Sequence, residues 1–175
     1  MLLLEHYYNL YTSSKQSYQI LYILKKYTNK NNIIVDATAG MGGNSIYFCK
    51  YYSFVYSIDI LDECIDYLEH NLIKYNNKLI INFNCLDILN IIQADIIFFD
   101  PPWGGKEYKH HKSIELELNN IPMNEIIESY YKYYNVIALK APNNYIIKPS
   151  KNWKIKKYDI LKINIITFQL IIYYK

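Results

Sequence analysis

Four aspartates hold most of the chemistry available to this sequence: Asp36, Asp59, Asp87 and Asp100, each at or near the end of an apolar run. The last opens Asp100-Pro101-Pro102-Trp103-Gly104-Gly105, directly after Ala94-Asp95-Ile96-Ile97-Phe98-Phe99. Proline cannot continue a sheet ladder, so Pro101 and Pro102 turn the chain out of a strand, and the two glycines let backbone come close to a ligand. Asp100 and Trp103 are left at the carboxyl edge of that strand, where open α/β sheets bind ligands. An acceptor at Asp100, together with the Pro101 carbonyl, can take both protons of an exocyclic base amine. The lone pair, otherwise delocalised into the ring, is then held toward an incoming methyl group. Trp103 can stack on the base and, as the best cation–π partner, would suit a positively charged one. A solvent turn under an aromatic lid is the plain alternative. The chemical reading is an amine methyltransferase centre.

The five glycines fall in two places only, 40–43 and 104–105. Gly40-Met41-Gly42-Gly43-Asn44 follows one apolar run, but its spacing is not that of a dinucleotide fingerprint and no Gly-Lys-Ser/Thr follows. Asp36 with Gly40 suits a ligand bearing a positively charged amino-acid end, as S-adenosylmethionine does. Asp59, 23 residues later, stands where an acid accepts ribose hydroxyls, and Asp87 stands within reach of an adenine amine. Singly, each acid reads as a cap or turn residue. Four successive strand ends closing on aspartate read as a nucleoside-cofactor site.

The elements that must carry these residues follow from hydrophobic period. Thr12-Ser13-Ser14 can cap a helix over 15–26, and the segment before it, Met1 to about Tyr11, is apolar with little pattern. Strands are predicted at 33–35, 54–58, 79–83, 96–99 and 136–139, with helices at 45–51, 62–74 and 123–134 and a short one after Asp87. Acids crowd the first turns of the 62–74 helix, as the helix dipole favours. Two late strands, 154–161 and 165–173, have no helix between them and suit a hairpin. The pattern predicts a Rossmann-like, doubly wound α/β fold. Its mostly parallel seven-stranded sheet ends in a C-terminal antiparallel hairpin, with helices on both faces. One domain over 1–175 is expected, residues 1–30 forming an N-terminal helical segment packed on it.

Composition narrows the partners. The 175 residues are 51% hydrophobic with 21 Tyr, and all 19 basic residues are Lys. The load of Ile, Asn and Lys suits A/T-rich coding, so a single Tyr or Lys carries little weight. A net charge of +3 permits nucleic acid without arguing for it. Without arginine, an anion must be met by Lys, hydroxyls or backbone amides. Cys49, Cys64 and Cys85 have no paired spacing, which points to neither a disulfide framework nor zinc and to a reducing, intracellular setting, nucleus or cytoplasm. No apolar run reaches the ~20 residues of a membrane span, and Met1-Leu2-Leu3-Leu4 is too short for a signal peptide. His110-His111 reads as a solvated loop rather than a metal site, so no metal is expected. Lys148, Lys151, Lys154, Lys156 and Lys157 could meet an RNA backbone or simply guard a strand edge.

On these residues the chain resembles class I S-adenosylmethionine-dependent methyltransferases, and within them the trimethylguanosine synthase family of RNA cap enzymes. The matching segments are Val35-Asp36-Ala37 with Gly40-Met41-Gly42-Gly43-Asn44, Ile58-Asp59-Ile60, Asp87, and Asp100-Pro101-Pro102-Trp103-Gly104-Gly105 with Tyr108 downstream. The resemblance covers roughly residues 12–142. It implies S-adenosylmethionine as cofactor, S-adenosylhomocysteine as product, and transfer to guanine N2 of a 7-methylguanosine RNA cap or cap analogue. Asp100, Pro101 and Trp103 would be catalytic. Ser14, Asp36, Thr38, Gly40, Asn44, Asp59, Ile60, Asp87 and Asp100 would line the cofactor. Thr12, Asn71, Trp103 and Tyr108 would meet the substrate. A monomer without metal or membrane contact is expected. Where the family often has Ser this chain has Asp100, Lys106 stands where it usually has Pro, and Pro142 is followed by Asn143-Asn144 where it has arginine for the cap triphosphate. Lys140 and Lys148 are the nearby basic candidates. Another amine as acceptor (adenine N6 of DNA, guanine N2 of structural RNA) and an inactive cap- or RNA-binding subunit are the competing readings.

Overall fold

The computed structural model describes residues 12–105, 107–162 and 165–175. Residues 1–11 of the N-terminal segment therefore lie outside the description. In chain order the elements are α1 (Ser14–Leu24), β1 (Ile33–Asp36), α2 (Ser45–Cys49), β2 (Phe54–Asp59), α3 (Asp62–Leu72), β3 (Lys78–Asn82), α4 (Cys85–Ile88) and β4 (Ile96–Phe99). After a short 3-10 turn at Glu107–His110 come β5 (Glu117–Leu118), β6 (Ile121–Pro122), α5 (Met123–Ser129), β7 (Val136–Ala141), β8 (Lys154–Lys162) and β9 (Ile165–Tyr174).

Seven strands form one sheet in the order β3-β2-β1-β4-β7-β9-β8. The first five are mutually parallel and β9 runs antiparallel to both β7 and β8. The order reverses beside β1, so the carboxyl ends of β1 and β4 diverge into a crevice of the kind that takes ligands. This is the doubly wound sheet with its terminal hairpin that the sequence predicts.

Alternate residues of each central strand feed opposite cores, as a pleat of period two requires. Ile34, Val55, Ile96 and Phe98 pack with Ile20 and Leu24 of α1, Phe48 of α2 and Leu68 and Leu72 of α3. Val35, Ile97, Phe99 and Ile137 pack on the other face with Cys85 of α4 and Met123 and Ile126 of α5. Strands covered on both sides read as unbroken apolar runs, and each fully buried Ile or Phe is worth roughly 1.5–3 kcal/mol. All three cysteines are buried and free. Burial pushes the thiols of Cys49, Cys64 and Cys85 up to about 12, which makes them inert packing.

Two boundaries differ from expectation. β3 ends at Asn82 rather than near Asp87, because the Asn84 side chain accepts from the Leu86 amide and starts α4. Asp87 consequently belongs to a helical turn, not a strand end. α5 stops at Ser129 instead of 134. Beyond it Tyr130 and Tyr134 bury their rings, with hydroxyls donating to the Leu86 carbonyl at 3.1 Å and the Leu89 carbonyl at 2.5 Å. Among the described residues no helix is long and apolar enough to cross a membrane, and no group of three or more His, Cys, Asp or Glu could hold a metal ion.

Candidate functional site

Strand register builds the site. Phe99 pairs with Leu139 across β4 and β7, so one further step on each parallel strand sets Asp100 beside Lys140. Lys140 Nζ donates to Asp100 Oδ2 at 2.6 Å. This is a charge-assisted bond between residues that are both largely shielded from water, Lys140 being only 6% exposed. The ammonium also donates to Thr12 Oγ1 at 2.7 Å, and that hydroxyl lies 3.4 Å from Asp100 Oδ2. Asn44 Nδ2 reaches the same hydroxyl at 3.4 Å. From behind, Thr38 Oγ1 accepts the Asp100 amide proton at 2.7 Å. Lys140 and Thr12 thus converge on the Asp100 carboxylate, with Asn44 behind Thr12 and Thr38 on the Asp100 backbone. Lys140 is therefore not an open cation for a triphosphate, being buried against Asp100, while Lys148 is on the surface and pairs with Glu115 at 2.9 Å.

Trp103 is half-buried and packs on both cores. The Lys140 ammonium lies 5.3 Å from its ring centroid and 5.0 Å from that of Phe168. Tyr108 meets Trp103 edge-on, centroids 5.4 Å apart at 90°. Tyr108 is itself held, since Asn144 Nδ2 donates to its carbonyl at 2.7 Å and to that of His111 at 2.9 Å.

The glycine loop closes the other half of the crevice. Gly40 donates its amide to Asp59 Oδ2 at 2.7 Å, while Asp59 Oδ1 accepts the Leu61 amide at 3.0 Å. Gly40 has φ +52° and a Cβ there would meet nothing within 4 Å, which leaves open space beside the loop. Gly42 has φ +86° and a Cβ there would strike Leu68 Cδ2 at 3.0 Å, so it is glycine for packing against α3. Beneath the loop, Ser57 Oγ donates to Ser45 Oγ at 2.9 Å, and Ser45 Oγ donates to Asp36 Oδ2 at 2.6 Å. Asp36 is 0% exposed. Burial, reinforced by the negative charges of Asp100 and Asp59 and opposed by Ser45 and Lys140, pushes its carboxyl up to about 7.

Asp36 Oδ1 and Asn44 Oδ1 are buried acceptors without a hydrogen-bond partner. Orphaned acceptors at both ends of the loop call for a donor. A ligand with an ammonium group fits that deficit, and Asp59 beside Gly40 fits a diol. The acceptor set therefore suits an amino-acid-bearing nucleoside such as S-adenosylmethionine.

Ser14 is exposed on the first turn of α1 and Ile60 is 60% exposed beyond β2. Asp87 is exposed and accepts from Asn84 Nδ2 at 3.0 Å. Asn71 is buried, its amide donating to the Met41 carbonyl at 3.0 Å, a contact that anchors the glycine loop to α3. His110 and His111 are exposed. Lys154 pairs with Tyr174, which pairs with Val136 at the amino end of β7. Lys154 of the late basic cluster thus lies at the end of the sheet remote from Asp100, whereas Lys157 pairs with Ile171, which pairs with Leu139, and so lies level with Phe99. Lys140 is the residue that sequence reasoning missed as a partner of Asp100. Its signal was present: one lysine inside Val136-Ile137-Ala138-Leu139-Lys140-Ala141, a run buried throughout, where a charge needs a counter-charge.

The sequence profile of RNA cap guanine-N2 methyltransferases matches residues 31–170. Protein L320 of Acanthamoeba polyphaga mimivirus is 33% identical over 150 residues, 78% of this chain and 58% of that protein. Trimethylguanosine synthase of Saccharomyces cerevisiae is 29% identical over 125 residues, 63% of this chain and 38% of that enzyme. The chain thus spans less than two thirds of either relative. Among solved structures, SMU.1697c of Streptococcus mutans in complex with SAH superposes with a TM-score of 0.62 at 14% identity, over 90% of this chain and 97% of that one.

Proposed function

The chain belongs to the RNA cap guanine-N2 methyltransferase family, and from that premise we propose that it transfers a methyl group from S-adenosylmethionine to the exocyclic N2 amine of a 7-methylguanosine cap. The observation that carries this reading is the state of Asp100. Its Oδ2 is engaged by Lys140, its Oδ1 takes no hydrogen bond among the described residues, and Trp103 stands three positions on.

When bound, the cofactor supplies an electrophilic methyl carbon on a sulfonium and leaves as S-adenosylhomocysteine. The chain's own part is orientation. Asp100 Oδ1 and the Pro101 carbonyl accept the two amine protons, which aims the nitrogen lone pair at the methyl donor. Trp103 stacks on the base and excludes water. As the N–C bond forms, positive charge develops on the amine. The Asp100 carboxylate stabilises that charge and accepts the departing proton. Asp36, Asn44 and the Asp59–Gly40 unit hold the two polar ends of the cofactor, with Thr38 fixing the Asp100 backbone between them. A relative solved in complex with SAH supports the choice of cofactor.

One observation favours a second acceptor. The Lys140 ammonium is already 5.3 Å from the Trp103 ring centroid, which lessens the advantage of a cationic base over a neutral one such as guanine in structural RNA. Labelled S-adenosylmethionine offered with 7-methyl-GDP, GDP, DNA and uncapped RNA separates the readings. Transfer to 7-methyl-GDP in clear excess over GDP is expected. Equal transfer to both would remove the cationic-base argument. Transfer only to DNA or uncapped RNA would replace the acceptor, and cofactor binding without transfer to any of them would make the protein a binding subunit.

A further inference from the structure

Resting on the methyl-transfer reading above, we propose that Lys140 is a positioning residue of the acceptor site. Its buried ammonium holds Asp100 through Oδ2 and so leaves Oδ1 as the side-chain acceptor presented to the amine. The geometry is specific. Lys140 comes from a strand buried on both faces, reaches Oδ2 at 2.6 Å and is fixed laterally by Thr12 at 2.7 Å. Two aromatic faces, Trp103 and Phe168, stand within about 5 Å of the ammonium. An ammonium this deeply buried is costly unless a counter-charge and hydrogen bonds compensate it, and here both do. The pair therefore acts as a unit: a carboxylate with one oxygen locked and one presented.

The consequence concerns orientation. Asp100 has a side chain 16% exposed, and among the described residues Lys140 of β7 is the cation that meets it. Without that ammonium the carboxylate faces Asp36 of β1 with no counter-charge and neither oxygen is held in place. Lys140 thus fixes which oxygen is presented to the amine. It also supplies the counter-charge that an Asp requires here and that a neutral Ser would not.

The test is a double-mutant cycle read in kcat and KM. Lys140→Met should lower kcat about tenfold while KM for the acceptor and S-adenosylhomocysteine affinity stay within about threefold, because only the orientation of the acceptor oxygen is lost. Lys140→Arg, which keeps the charge, should recover most of kcat. In an Asp100→Ser background Lys140→Met should have little further effect on kcat. An unchanged kcat in Lys140→Met overturns the proposal. An equal loss in the Asp100→Ser background also overturns it, because Lys140 would then act through another partner. If wild type methylates no acceptor, the functional reading fails on its own, and the ion pair is tested by unfolding instead. Lys140→Met should lower the midpoint more in the wild-type background than in the Asp100→Ser background, and an equal loss in both would overturn the pairing.

Discussion

The Gly40 amide donates to Asp59 Oδ2 at 2.7 Å, so the turn that follows β1 is tied to the acid that closes β2. One carboxylate both shapes the glycine loop and presents its remaining lone pairs to the space beside it. Removing it should be felt in cofactor binding before anything else. Asp59→Ala deletes acceptors for two backbone amides, Gly40 and Leu61, and with them the proposed ribose contact. Bonds to a charged acceptor are worth about 1.5–3 kcal/mol each, so affinity for S-adenosylhomocysteine should fall at least tenfold by calorimetry. Unchanged affinity would put the nucleoside elsewhere.

Trp103 belongs to the other half of the crevice. Its ring contacts are Tyr108, Phe168 and the Lys140 ammonium, none of which is on the glycine loop. Trp103→Ala should abolish methyl transfer, a loss of about a hundredfold or more given that stacking and orientation act together. S-adenosylhomocysteine affinity should stay within about threefold, as expected for a site with no shared partner. Parallel loss of both would mean that the indole serves the cofactor pocket.

Asp36 gives a pH signature. Its folded pKa of about 7 lies above the ordinary carboxylate value, chiefly because the group is buried. Between roughly pH 4 and pH 7 the folded protein therefore holds a proton that the unfolded chain has released. Stability is highest below that window and falls as pH rises through it. Asp36→Asn keeps an acceptor for Ser45 and cannot ionise, so its unfolding midpoint should lose less than that of wild type between pH 5 and pH 8. Superimposable slopes for the two proteins would show that Asp36 does not titrate in this range. Bound S-adenosylmethionine should reduce the wild-type slope, because an ammonium beside Asp36 favours the ionised form.

How much of this was legible depended on whether the signal was local. β1 and β4 are short apolar runs ended by Asp36 and by Asp100-Pro101, and chain chemistry alone marks both ends. The hairpin of β8 and β9 was equally plain, since neither strand has a helical period. The β5–β6 ribbon was not foreseen, although Asn119 and Asn120 at φ +54° and +62° form the left-handed pair that tight hairpins use. Contacts between strands were out of reach. Nothing in the run 136–141 says that its lysine lies one strand from Asp100, because that neighbourhood is set by the order β4-β7 in the sheet. Asp36 was read as facing a ligand because it ends a strand. Ser45, nine residues on, engages one of its oxygens from beneath the loop and leaves Oδ1 without a partner, and that division carried no local signal.

The loop after the site provides the last test. Asn144 stands three residues beyond β7 and donates to the carbonyls of Tyr108 and His111 at 2.7 and 2.9 Å, while its own carbonyl accepts the Ile114 amide at 2.9 Å. Three bonds from one residue fasten the 108–114 loop, and Tyr108 on that loop buttresses the edge of Trp103. Asn144→Ala keeps the backbone bond and removes the other two, leaving two carbonyls to find water. Neutral bonds of this kind are worth about 0.5–1.5 kcal/mol each, so a fall of about 1–3 kcal/mol in unfolding free energy is the upper expectation. The functional effect should be selective. A looser Tyr108 lets the Trp103 platform shift, which raises KM for the methyl acceptor about three- to tenfold while kcat and S-adenosylhomocysteine affinity change little. Asn144→Asp serves as control: it has no donor for the two carbonyls and sets a carboxylate against them, so its effect should be at least that of Ala. If kcat collapses with KM unchanged, or cofactor affinity falls in step, Asn144 acts through β7 and Lys140 rather than through the loop.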